Sequence, residues 1–165
     1  MYNTKNVTDW RKLSVKRERR HEPLVDKLCS NNLSSGSIFP FIKDLMVFAA
    51  MVGHSLGKRK SLSGDSISII LETYASDEKD AYIYLISLME KRDGSILKDE
   101  NLQSAIKIFE EYCNAGLYEI SLWLDENPGD LEGVDTLISK ILDKAIRNEN
   151  FGKKDQPPEN IDVDF

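Results

Sequence analysis

Between Pro40 and Gly57 the sequence is apolar nearly all the way round a helix. The apolar side chains recur every three or four residues: Phe41, Leu45, Phe48, Ala49, Val52 and Leu56. Met46 and Val47 are apolar on the other sides. A helix of this kind must be buried in its own domain or against another molecule. We therefore expect it to form the centre of the fold. Because it has more apolar surface than a small core needs, we also expect a homodimer.

Helical spacing of apolar residues predicts further helices, over residues 23–28, 77–91, 99–113, 117–124 and 134–145. Within residues 77–91, the side chains of Ala81, Leu85, Leu88 and Met89 are predicted to face inward. The small residues at 114–116 are predicted to end one helix before the next begins. Residues 67–71 fit either a short strand or a helical turn. The fold class is therefore mainly α: a compact bundle or orthogonal array of five or six helices with at most one short β element.

The size and composition are those of one folded domain. The chain has 165 residues, of which 41% are hydrophobic and 30% are charged. It contains no apolar run of about 18 residues and no apolar segment near its start, so we expect neither a membrane span nor an export signal. Cys29 and Cys113 are far apart, and we expect both to be reduced thiols in a cytoplasmic protein.

Charge is distributed unevenly along the chain. Residues 1–60 contain 12 Lys and Arg against 5 Asp and Glu, whereas residues 61–165 contain 10 against 23. Either the basic end attracts a polyanion, or the two ends neutralise each other within the fold or across a dimer. Residues 1–20 are predicted to form a basic arm, flexible or partly helical. Residues 21–148 then form a single helical domain, and residues 149–165 a disordered acidic tail.

Two clusters of cations are the strongest polyanion-binding feature of the sequence. They contain nine candidate DNA-binding residues: Arg11, Lys12, Lys16, Arg17, Arg19, Arg20, Lys58, Arg59 and Lys60. Neutralisation of phosphates by such residues would give salt-sensitive binding without sequence preference. Nothing in the sequence identifies a helix that reads bases.

Catalytic and metal-binding patterns are incomplete. The segment from Gly53 to Arg59 has too short a glycine spacing for a phosphate-binding loop, and it follows a helix where that loop follows a strand. Two histidines and two cysteines without paired spacing do not predict a zinc site. Glu110 and Glu111 are adjacent on a helix and therefore point to different faces. We expect no enzymatic activity, no metal and no cofactor.

Two blocks resemble a known family. The sequence Phe-Ala-Ala-Met-Val-Gly at 48–53 is followed by Leu-Gly-Lys-Arg at 56–59, and residues 108–117 read Ile-Phe-Glu-Glu-Tyr-Cys-Asn-Ala-Gly-Leu. Both are similar to segments of the small bacterial proteins called DNA phosphorothioation-associated protein 4. The second block departs from the family pattern at Cys113 and Ala115. The resemblance covers roughly residues 20–125, and the last helix and tail lie outside it.

The resemblance implies a bacterial cytoplasm, a DNA-modification or defence system, and protein partners from that system. It supplies no catalytic residues. The leading hypothesis is a non-enzymatic accessory protein that contacts DNA or a DNA-bound complex through its basic N-terminal third. The alternative is a protein–protein adaptor that uses the helix at 40–57 or an acidic face and does not touch DNA. A third possibility is an enzyme whose site is assembled in space, which requires a concave pocket with converging polar side chains.

Overall fold

The computed structural model describes residues 9–29 and 36–154, with side chains up to residue 147. Six α-helices lie within these ranges: α1 Glu22–Cys29, α2 Ile42–Ser55, α3 Leu71–Ala75, α4 Asp80–Lys91, α5 Leu102–Asp125 and α6 Val134–Lys154. The two strands are β1 Ser14–Glu18 and β2 Ser66–Ile70. Short 3-10 turns occur at Trp10–Lys12, Arg19–His21, Gly94–Leu97 and Asp99–Asn101. The predicted fold class, mainly α with at most one small β element, is confirmed.

Helices α2 and α5 pack against each other at the centre of the fold. Glycine makes their close approach possible, because a Cβ at Gly116 would lie 1.8 Å from the carbonyl oxygen of Ala49. A Cβ at Gly53 would lie 2.2 Å from the carbonyl oxygen of Tyr112. The predicted helix end at residues 114–116 is therefore wrong. The small residues there let two helices touch inside one continuous 24-residue helix.

The first strand corrects the prediction of a basic arm. Strand β1 pairs antiparallel with β2, and Lys16 lies opposite Ser68. Val15, Arg17 and Glu18 are buried, so this segment belongs to the fold. A flexible or partly helical arm is therefore wrong for residues 9–20, and residues 1–8 lie outside the described part. The strand was missed because three of its five residues are charged, and two of these, Arg17 and Glu18, are buried by β2 and α5, which are distant in sequence.

Helix α4 packs on a face that includes only one of the four residues predicted to face inward. Leu88 is partly buried against the core, but Ala81, Leu85 and Met89 are exposed, whereas Ile83 and Ile86 are buried. The helix carries apolar residues on both sides, so helical spacing alone fits either choice. Its contacts with α3 and α5 decide which side is covered.

Helix α6 is attached to the rest of the domain mainly at its beginning. The Asp130 carboxylate accepts hydrogen bonds from the backbone N–H groups of Gly133 and Thr136, each at 2.8 Å. Leu137 is buried. The helix continues to Lys154, so the disorder predicted from residue 149 is wrong as far as 154. Residues 155–165 lie outside the described part. Across the described helices, none is long and apolar enough to cross a membrane.

Candidate nucleic-acid interface

An open groove lies beside β1, between the segment preceding β2 and helix α5. Its volume is about 690 Å³. Three lysines line it, namely Lys12, Lys16 and Lys107. Hydroxyl and amide groups lie between them, contributed by Ser14, Ser61, Ser66 and Gln103. We call this feature the lysine groove. Ammonium and hydroxyl groups together are suited to phosphate oxygens.

Two carboxylates also line the lysine groove: Glu111, which pairs with Arg59, and Glu110. The Oε1 of Glu110 accepts a hydrogen bond of 2.7 Å from the backbone N–H of Lys16. Burial raises the pKa of Glu110 to about 7, against the opposing influence of that hydrogen bond and of the Lys16 and Lys107 charges. The groove therefore becomes more positive as Glu110 takes up a proton near neutral pH.

Lys16 and Lys107 form no ion pair with a carboxylate in the described part of the chain. Lys12 has a loose pair with Asp9 at 3.8 Å. The charge clusters of the sequence indicated Lys12 and Lys16 but not Lys107, which lies on α5, far from both in sequence. Lys107 and Glu110 are three residues apart on one helix face, which is the signal that could have indicated a shared site.

Other N-terminal cations predicted to bind DNA are engaged within the fold. Arg11 pairs with Glu72 at 3.7 Å, and Arg19 pairs with Asp65 at 2.5 Å. A further ion pair joins Arg20 to the buried carboxylate of Glu18.

Arg17 is only 2% exposed and pairs with Glu22 at 2.7 Å. The structure therefore corrects its assignment as a DNA-binding residue, because its side chain points into the protein. The error arose because the sequence alone does not show which face of a strand is covered.

The cations of the second predicted cluster, residues 58–60, also contact side chains of the same domain. Lys58 pairs with Glu119 at 2.6 Å, and the ammonium of Lys60 lies 4.9 Å from the centre of the Tyr118 ring. Arg59 binds two carboxylates, those of Glu90 and Glu111. The nine predicted residues do not gather on one open surface.

The Arg59 contacts explain why the two resembling sequence blocks belong together. Arg59 follows α2, whereas Glu111 and Tyr112 lie in the middle of α5. The hydroxyl of Tyr112 donates to Glu90 at 2.5 Å, and this bond together with Arg59 lowers the pKa of Glu90 despite its partial burial. With the glycine contacts between α2 and α5, these bonds hold the end of α2 against α5. Both blocks therefore have a structural role.

A buried polar cluster ties β1 and the segment after α2 to α5. The amide oxygen of Asn114 accepts a hydrogen bond from His21 Nε2 at 2.8 Å, and the amide NH₂ of Asn114 donates to Glu18 at 3.1 Å. Glu18 also accepts a bond of 2.6 Å from the Ser63 N–H. Burial opposes ionisation of Glu18, but these bonds and the Arg20 charge lower its pKa. In the described ranges no three metal-ligating side chains lie together.

Comparison with known families gives a match over most of the chain. The family model described as DNA sulphur modification system-associated protein 4 matches residues 14–156. This match confirms the resemblance drawn from the two sequence blocks and extends it over β1 and α6. No curated protein and no solved structure matches the chain.

Proposed function

Since the chain belongs to the DNA sulphur modification system-associated protein 4 family, we propose that it is a non-catalytic accessory protein that contacts the DNA backbone through the lysine groove. It would act in the bacterial cytoplasm beside the other proteins of a modification and restriction system. The observation that carries the proposal is the convergence of Lys12, Lys16 and Lys107 around an open, hydroxyl-lined surface.

The chemistry of the groove favours phosphates over bases. Lysine ammonium groups and serine hydroxyls bind phosphate oxygens without reading sequence. Lys16 and Lys107 are free to do so, because they form no ion pair with a described carboxylate. Binding through this groove would therefore be weak, salt-sensitive and independent of sequence.

The number of lysines sets the expected salt dependence. Each neutralised phosphate contributes about −0.9 to the slope of log affinity against log salt concentration for duplex DNA. Three lysine–phosphate contacts therefore give a slope of about −2.7, and two give about −1.8. Glu110 opposes binding when it is ionised, so affinity should increase as pH falls through about 7.

Fluorescence anisotropy with a labelled duplex over a range of KCl concentrations tests the proposal. The double variant Lys16→Gln, Lys107→Gln should bind DNA more weakly, and the steepness of its log affinity against log salt concentration should fall by about 1.8. Lys91→Gln with Lys98→Gln is the matched control, because these exposed lysines do not line the groove and the change in net charge is the same. Glu110→Gln should tighten binding at pH 8. Undetectable binding at 25 mM KCl, or equal losses in both double variants, would reject the proposal.

A protein–protein adaptor that does not touch DNA is the second candidate. The observation that favours it is the neutralisation of Arg11, Arg17, Arg19, Lys58 and Arg59 by carboxylates of the same domain. Helix α2 is mostly buried, which leaves an acidic surface as the adaptor face. Co-purification with individual proteins of the modification system after nuclease treatment, together with no DNA binding, would favour this function. Loss of every complex on nuclease treatment would oppose it.

A further inference from the structure

Strand β2 has one open edge. It pairs with β1 along one side, and β1 and the adjoining α3 are its main neighbours among the described elements. Ser68 and Ile70 are exposed. The strand reads Ser-Ile-Ser-Ile-Ile and contains no charged residue and no proline. Natural edge strands usually carry such residues, because a bare edge is a template for pairing with another strand.

The register of the sheet identifies the backbone groups that face this open edge. The N–H of Leu71 donates to the carbonyl oxygen of Leu13 across the sheet at 2.8 Å. Opposite pairs in an antiparallel sheet alternate between hydrogen-bonded and non-hydrogen-bonded ones. Three pairs further along, Lys16 and Ser68 are therefore opposite each other without a mutual hydrogen bond. The N–H of Lys16 agrees with this, since it points away from β2 and donates to Glu110.

Ser68 therefore directs its N–H and C=O groups away from β1, and so does Ser66 two residues earlier. The N–H of Ile70 points the same way, whereas the Ile70 carbonyl oxygen accepts the first hydrogen bond of α3. Within residues 9–29 and 36–154, no backbone group bonds to these outward-facing groups. Water or another extended chain can supply their partners.

We infer that β2 pairs antiparallel with β2 of a second copy about a two-fold axis at Ser68, which joins the two sheets into one. In this register the two Ser68 residues exchange N–H and C=O bonds. Each Ile70 N–H donates to the Ser66 carbonyl oxygen of the other copy. The expected homodimer contact then lies at β2 and not at α2, which is largely buried. The inference does not rest on the proposed function.

The edge itself favours a second copy as its occupant. Its donors and acceptors lie on both sides of Ser68, so a two-fold axis there brings each donor to an acceptor of the same strand. No charge on β2 opposes this approach, whereas like charges directly opposite each other would destabilise it. A two-stranded sheet is marginal by itself, and the second copy adds the further strands that stabilise a sheet.

The ends of the contact bring neutralised carboxylates together. In this register Asp65 of one copy lies opposite residue 71 of the other, next to Glu72. Within each copy Asp65 pairs with Arg19 at 2.5 Å and Glu72 pairs with Arg11 at 3.7 Å. Each arginine therefore offsets the repulsion that two bare carboxylates would produce at that end.

The pairing also determines where the two lysine grooves lie. Residues opposite each other in a sheet share a face, so Lys16 lies on the face that carries Ser68. The two Lys16 residues are then three strand spacings apart, about 14 Å, on one face of the joined sheet. Contact of one DNA duplex with both grooves is a consequence that rests on the proposed function, unlike the pairing itself.

Sedimentation velocity of the full chain over a wide concentration range tests the association. The wild type should shift from monomer to dimer as concentration rises. Ser68→Pro removes an N–H that β1 does not use, so it spares the fold and should weaken association about tenfold to a hundredfold. Ser68→Ala is the matched control, because it keeps this N–H and should leave association unchanged.

A charge at the axis is a second test of the same contact. Ser68→Lys places like charges opposite each other and should also weaken association. Ser139→Lys, at an exposed serine on α6, makes the same change in net charge and should not. Circular dichroism of each variant should match that of the wild type.

Hydrogen exchange locates the contact. The amides of Ile67 and Ile69 face β1 and should be protected at every concentration. The amides of Ser68 and Ile70 should become protected only as the dimer forms, and the Ile70 amide should stay unprotected in Ser68→Pro.

A monomer at every concentration would overturn the inference, and so would a dimer that Ser68→Pro and Ser68→Lys leave intact. Protection of the Ser68 amide in a monomer, lost on deletion of residues 1–8, would also overturn it, because that segment would then occupy the edge. Protection that appears only on addition of another protein would overturn it in favour of a partner strand.

Discussion

Replacing Gly116 with alanine tests the closest contact in the fold. Gly116 lies on α5 where its Cα meets the backbone of α2. An added Cβ would lie 1.8 Å from the carbonyl oxygen of Ala49 and 2.6 Å from its carbonyl carbon. Real Cβ atoms essentially never approach closer than 3.0 Å. Because the obstacle is backbone, no side-chain rotation can relieve the clash, and the two helices must separate.

The cost of that separation can be worked out from the contact. A gap of 0.5–1 Å already forfeits a quarter to a half of the dispersion attraction between facing atoms. The helices must move farther apart than this, and together they contribute Leu45, Ala49, Phe109 and Leu117 to the core. We expect Gly116→Ala to lower the free energy of unfolding by about 3–5 kcal/mol, at or above the upper end for overpacking. A domain of this size has about 5–15 kcal/mol in total.

Urea unfolding followed by circular dichroism measures the effect. Gly129→Ala is the control, since nothing lies within 4 Å of a Cβ at that position and its φ is not in the left-handed region. It should change the free energy of unfolding by less than about 1 kcal/mol. A loss below about 1 kcal/mol for Gly116→Ala relative to this control, with an unchanged m-value, would refute the close packing of α2 and α5.

Two further predictions concern titration and thiol reactivity. The pKa of Glu110 is raised by burial from 4.5 to about 7, so the folded state binds more protons than the unfolded state between these values and loses stability as pH rises. The free energy of unfolding of Glu110→Gln relative to wild type should therefore increase from pH 4.5 to 7, by at most about 2–3 kcal/mol, and then level off. A difference in unfolding free energy between the two proteins that stays constant over this pH range in urea unfolding would contradict this. Burial raises the pKa of Cys29 to about 11 and raises the pKa of Cys113 further. Both thiols should therefore react slowly with a disulfide reagent at pH 8 until urea unfolds the protein. Rapid labelling of the native protein would contradict this prediction.

Helices α1, α2, α4, α5 and α6 were largely predictable because each has apolar residues at helical spacing, whereas the five-residue helix α3 was not predicted. The start of α6 at residue 134 was also predicted. Predictions failed where one local pattern fits two structures. Small residues at 114–116 suit a helix end and a tight helix contact equally well. Helix α4 has apolar residues on two sides, and its packing against the neighbouring helices determines which side is buried.

The candidate site was less predictable than the fold. The charge clusters of the sequence predict Lys12 and Lys16, but Lys107 and Glu110 join them only because β1 lies beside α5. The other cations could not be judged from the sequence, since their carboxylate partners are 46 to 61 residues away in pairs such as Arg19–Asp65, Arg59–Glu111 and Lys58–Glu119. Their DNA contact stays a prediction, apart from Arg17, whose burial excludes it.

Local sequence therefore determined the helical class, most helix positions and the family, because spacing, turns and motif residues act over a few neighbours. Tertiary structure decided which apolar faces are covered, which charges are neutralised and where lysines converge. Burial and ion pairing depend on residues brought together from distant parts of the chain, and their distances are not encoded in any local pattern.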